Sequence, residues 1–165
     1  MVWFNHDPCG MACAAVTHLL LVYALYVVTF VILVPWFEFS IHGMVHHIVF
    51  SSLIILAMWS HLKAMTSDPG AVPMGALPLE ELPEGSYHRS CPRCDDNYKP
   101  RRAHHCSVCR RCVSRMDHHC PWVNNCVGAL NQKHFILFTT YVLLSSGYAI
   151  MLVISSVAGK FPTHK

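Results

Sequence analysis

The stretch Arg115 to Gly128, "RMDHHCPWVNNCVG", packs an aspartate, two histidines and two cysteines into one short segment. Such groups can ligate a metal, or they can supply a nucleophile, a base and an orienting carboxylate. Spacing separates the two uses. Cys91-x2-Cys94-x10-His105-x6-Cys112 and Cys106-x2-Cys109-x9-His119-x6-Cys126 are two copies of one pattern. Each copy supplies three thiols and one imidazole, a tetrahedral set for structural zinc. The sets interleave, because Cys106 follows His105 directly and yet belongs to the other site.

Eight ligands fill two closed sites, which leaves Cys120 over. On spacing alone it is a spare thiol, a ligand assigned to the wrong site, or a nucleophile. In the last case His118, which does not share the zinc that His119 binds, is the base. Asp117 holds the His118 imidazole in the right tautomer, completing a nucleophile, base and orienter. An adjacent imidazole raises the thiolate fraction of a thiol that is otherwise mostly protonated at neutral pH.

The elements that must position these groups are apolar. Of 165 residues, 53% are hydrophobic and 13% charged, and the formal net charge of +3 is too small to imply nucleic acid as a partner. Three runs are long enough to cross a bilayer. They predict transmembrane helices over 11–34, 44–65 and 135–157. Residues 1–10 are then a cytosolic N-terminus, 35–43 a lumenal loop with an aromatic belt of Trp36, Phe37 and Phe39, and 66–90 a Pro- and Gly-rich cytosolic linker. Residues 91–134 form the cysteine-rich zinc domain, and 158–165 a short tail. The orientation follows from the basic residues, because the connection Thr66 to His134 holds nine of the twelve and basic loops stay in the cytosol. A reducing cytosol favours metal binding over disulfides for the cysteine cluster. The expected fold class is an α-helical multi-pass membrane protein with a cytosolic cysteine-rich double zinc-binding domain.

"DHHC" followed by "PWVNNCVG" resembles the signature of the DHHC family of protein S-acyltransferases (palmitoyltransferases). The "DPG" of Asp68, Pro69 and Gly70, together with Asn131 and Phe135, extends the resemblance. Near the start, "VWF", "CGM" and "VVTFVILVP" resemble its Golgi-resident branch. The resemblance implies that Cys120 takes a palmitoyl group from palmitoyl-CoA and passes it to cysteines of substrate proteins at the cytosolic membrane face. It also implies His118 as base, Asp117 as orienter, and two structural zinc ions. The acyl donor carries a polyphosphate, for which Lys99, Arg102 and His104 are the candidate cations, with Arg101, Arg110, Arg111 and Lys133 assisting. The alternative role of these basic residues is a positive-inside signal facing lipid head groups. Partners are thus the long-chain acyl-CoA, substrate proteins, the bilayer, and homo- or hetero-oligomers.

Two departures stand out. The segment "DDNYKPRRAH" between Cys94 and His105 is one residue longer than the family pattern. The family has four membrane helices where three are read here, so the chain is expected to be a form truncated after the third. The alternative function is therefore a non-catalytic zinc-binding membrane protein that associates with or regulates full-length acyltransferases. Elsewhere, His42 and His46 are expected to pack at the lumenal surface rather than bind metal. Cys9 and Cys13 are acylated or are apolar fillers. Ser145, Ser146 and Gly147 mark either the end of an acyl pocket or a helix-packing surface.

Overall fold

A computed structural model describes residues 3–37, 40–78 and 89–158. Glu38 and Phe39 of the expected lumenal loop, residues 79–88 of the linker and residues 159–165 of the tail lie outside the described residues. Among the described residues three helices are long and apolar enough to cross a membrane: Pro8–Phe37, Ile41–Thr66 and Gln132–Val157. The first starts earlier than its apolar run because Asp7 caps it. The Asp7 carboxylate accepts the Gly10 N–H at 2.8 Å, and Pro8 opens the helix where no amide partner is needed. Within this helix Val27–Leu33 is wound as a π-helix.

The chain divides into two compact units. One comprises Ala15–His61 and Ile136–Lys165. Its buried side chains include Leu21, Val28, Ile32, Phe50, Ile54, Ala57 and Leu152. Large apolar side chains also point outward on all three helices, with Leu19, Ile55 and Leu143 at 68, 62 and 72% exposure. Such faces suit a lipid solvent, in which backbone polar groups must be satisfied within the helix. Polar side chains in this unit find each other. His46 Nδ1 lies 2.7 Å from the Tyr148 hydroxyl and its ring packs on Phe37. Thr29 Oγ1 meets His47 Nδ1 at 3.2 Å. Ser145 is buried and bonds back to the Val142 carbonyl. Ser146 is exposed and a Cβ at Gly147 would meet nothing within 4 Å. Of the three small residues, only Ser145 is buried.

The other unit comprises Met1–Ala14 and Leu62–Phe135. It holds three antiparallel hairpins: β1 (Ser90–Cys91) with β2 (Asn97–Tyr98), β3 (His104–Cys106) with β4 (Arg111–Val113), and β5 (His118–Cys120) with β6 (Asn125–Val127). The DPG segment joins this unit through an Asx turn. Asp68 Oδ1 accepts the Gly70 and Ala71 N–H groups at 2.9 and 2.8 Å. The chain then runs beside β4, where Val72 N donates to the Cys112 carbonyl and Ser114 N to that of Gly70, each at 2.8 Å. Strands of two or three residues are too short to be stable alone, so the hairpins need a further support.

Candidate functional site

That support is the two ligand sets. Cys91, Cys94, His105 and Cys112 form one group, and Cys106, Cys109, His119 and Cys126 the other, with the ligand atoms of each set within 4.8 Å of one another. In a tetrahedral zinc site with the usual bond lengths, sulfurs stand about 3.8 Å apart and sulfur and nitrogen about 3.5 Å. In the second set His119 Nδ1 lies 3.6, 3.5 and 3.6 Å from the sulfurs of Cys106, Cys109 and Cys126. In the first, His105 Nδ1 lies 3.7 and 3.1 Å from Cys91 and Cys94, and Cys94 lies 3.9 Å from Cys112. Both donor sets therefore have the size and chemistry of a structural zinc site.

The thiols themselves call for a cation. The hydrogen bond between Cys126 and Cys109 lowers the Cys109 pKa to about 5. Cys126 is pushed up by the same contact and by burial, and burial raises Cys112 to about 12. The sulfurs of one set cannot all ionise at such separations unless a metal compensates their charge. The His119 ring is turned so that Nδ1 faces the three sulfurs while Nε2 is buried without a hydrogen-bond partner.

The first strand of each hairpin ends on a cysteine, and the turns that follow share a backbone shape. Cys91 has φ −118° and ψ 107°, and its turn ends on Asp95 in the left-handed region, φ 51°. Cys120 has φ −112° and ψ 108°, and its turn ends on Asn124, φ 47°. Arg110 at φ 53° closes the turn after Cys106 in the same way. Cys120 thus heads a third knuckle. The position that holds Cys94 and Cys109 in the other two is occupied here by Val123, an alkyl group with no electron pair to give a metal.

Strand alternation completes the separation. His119 pairs with Cys126 across β5 and β6 and faces the metal set. His118 and Cys120, one residue to either side, share the opposite face. Asp117 Oδ2 lies 3.4 Å from His118 Nδ1, and the His118 ring packs edge-on against Phe135, centroids 5.4 Å apart. The carboxylate favours the tautomer with the proton on Nδ1 and leaves Nε2 as the basic atom.

The additional residue of the first set is absorbed in its turn. Cys91 pairs with Asn97, six residues on, whereas Cys106 pairs with Arg111 and Cys120 with Asn125, five on. Asp96 follows Asp95 into the left-handed region, φ 52°, which aspartate tolerates better than most residues. Lys99 and Arg102 precede β3, and His104 is its first residue. Arg102 and His104 are exposed and Lys99 is half-buried. Arg111 is stacked over the Trp3 ring at 4.6 Å.

Spacing did not reveal Asn125, the fully buried cross-strand partner of Cys120. Its Nδ2 lies 3.0, 3.2 and 2.9 Å from the carbonyls of Ala64, Met65 and Ser67 at the end of the second helix. Its Oδ1 accepts Trp3 Nε1 at 3.1 Å and the Cys126 N–H at 2.9 Å. Asn131 acts similarly, bonding the Ala64 and Cys126 carbonyls and the Gly128 amide.

Residues 84–165 match the family model described as DHHC palmitoyltransferase. The chain is similar to mouse palmitoyltransferase ZDHHC7, 50% identical over 169 residues, covering 97% of this chain and 54% of that protein. It is 50% identical to human palmitoyltransferase ZDHHC3 over 157 residues, covering 92% of this chain and 52% of that one. Zebrafish palmitoyltransferase ZDHHC3-A is 48% identical over 158 residues, with 93 and 49% covered. The chain spans about half the length of the curated relatives it matches. With two Cys3His sets, a knuckle cysteine left out of both and three membrane-length helices, the chain belongs to the DHHC palmitoyltransferase family.

Proposed function

We propose that the chain transfers a palmitoyl group from palmitoyl-CoA to cysteine thiols of substrate proteins through an acyl-enzyme on Cys120. The observation that carries this reading is the third knuckle, in which a cysteine is presented like a ligand while Val123 leaves it without a metal. His118 lies two residues away on the same face, roughly 7 Å along the strand, and Asp117 orients it. His118 Nε2 takes the Cys120 proton, the thiolate attacks the thioester carbonyl, and the proton returns to the departing CoA sulfur. A substrate thiol then attacks the new thioester and Cys120 leaves. The metal ligands are Cys91, Cys94, His105 and Cys112, and Cys106, Cys109, His119 and Cys126. Bound zinc would fix the hairpins, and with four protein ligands each ion lacks the open position a Lewis acid needs.

Lys99, Arg102 and His104 are the cations proposed for the CoA phosphates. The basic residues of the unit carrying these groups support a cytosolic side for it. The N-terminal resemblance supports a Golgi membrane. The test is incubation with a labelled palmitoyl-CoA analogue followed by hydroxylamine, which cleaves thioesters. A hydroxylamine-sensitive label is expected on the wild-type chain and none on Cys120→Ser; equal labelling of both would overturn the assignment.

A further inference from the structure

The start of the first helix lies directly against the turn that follows Cys120. A Cβ at Gly10 would overlap Asn124 Oδ1 and sit 2.9 Å from Asn124 Cγ. Asn124 in turn donates to the Asn5 carbonyl at 2.7 Å. Cys9 and Cys13 flank Gly10, four residues apart and so on one helix face. Gly10 and Cys13 are three residues apart, so Cys13 lies on the helix face that meets the turn after Cys120. Exposure rises along the three sulfurs, from buried Cys120 through half-buried Cys13 to exposed Cys9.

We propose that the Cys9–Cys13 pair is a second thioester site of this chain, loaded with the acyl group from Cys120 through Cys13. The step rests on the acyl-enzyme reading above. The Cys13 sulfur attacks the Cys120 thioester carbonyl. The bond from that carbonyl to Cys120 sulfur breaks as the bond to Cys13 sulfur forms, and the Cys13 proton ends on the Cys120 thiol. One thioester is exchanged for another, so no oxidant or further reactant is needed. The same exchange carries the acyl group one helical turn to Cys9, where its chain can enter the bilayer. The first helix thereby becomes lipid-anchored at the site where acyl groups are delivered.

The test is peptide mapping of hydroxylamine-sensitive adducts after incubation of the full chain in lipid vesicles with a palmitoyl-CoA analogue. Wild type should carry adducts on Cys120 and on the Cys9–Cys13 pair. Cys120→Ser should lose all of them. Cys13→Ala should keep the adduct on Cys120 and lose the one on Cys9. Adducts on Cys120 with Cys9 and Cys13 bare would overturn the second site and leave the acyl-enzyme standing. Adducts on Cys13 in Cys120→Ser would show loading directly from the donor and overturn the transfer. Cys120 bare in wild type would remove the proposed function itself, and the relay with it.

Discussion

Two adjacent histidines have unrelated surroundings because a strand turns successive side chains to opposite faces. His119 points its Nδ1 at three sulfurs, each within 3.6 Å, whereas His118 pairs with Asp117 and Phe135. His119→Ala should therefore lose one zinc and destabilise its unit, since it opens a closed site. His118→Ala should keep both metals while acyl-enzyme formation falls by about 10²- to 10⁴-fold, the usual contribution of a general base. Metal analysis beside the labelling assay separates the two variants, and equal metal loss would contradict the division. This division was legible in the sequence, because the ligand arithmetic already claimed His119 and left His118 over. Asn125 was not legible, since a buried asparagine that ties three segments together looks like any turn residue until those segments are in place.

At the scale of elements, three hairpins repeat one turn and differ in what fills its second ligand position: Cys94, Cys109 or Val123. The first two copies could be read from cysteine spacing. The third could not, because its mark is a left-handed Asn124 and a matching Cys120 conformation rather than a second cysteine. The additional residue between Cys94 and His105 was visible as a count, but its place in the Asp95–Asp96 turn needed the strand register. Val123→Cys should give Cys120 the metal-binding partner it lacks. Added zinc should then suppress acyl labelling of Val123→Cys but not of Val123→Ala. Both variants lose buried volume at a fully buried position, at a cost of about 1–3 kcal/mol, so packing alone cannot separate them. Equal zinc sensitivity would contradict the third-knuckle account.

For the molecule as a whole, three long apolar helices and a small, ligand-held unit solve different problems. The helices satisfy their own backbone and expose Leu19, Ile55 and Leu143, and the apolar runs announced them plainly. Their ends were less legible. Asp7 and Pro8 extend the first helix beyond its apolar stretch, and local capping rather than hydropathy sets that boundary. The hairpin unit has strands of at most three residues, so metal binding and folding are coupled in it. Docking of Trp3 and Asn5 onto it depends on partners more than 100 residues away in the chain, which no local pattern signals. The central claim is that eight ligands serve two metals and Cys120 serves neither. The most direct measurement is the mass of the intact folded chain, wild type and Cys120→Ser, before and after exposure to palmitoyl-CoA. Two zinc ions in both proteins, with thioester-linked acyl only in wild type, is the predicted result. Loss of a zinc from Cys120→Ser would contradict the claim.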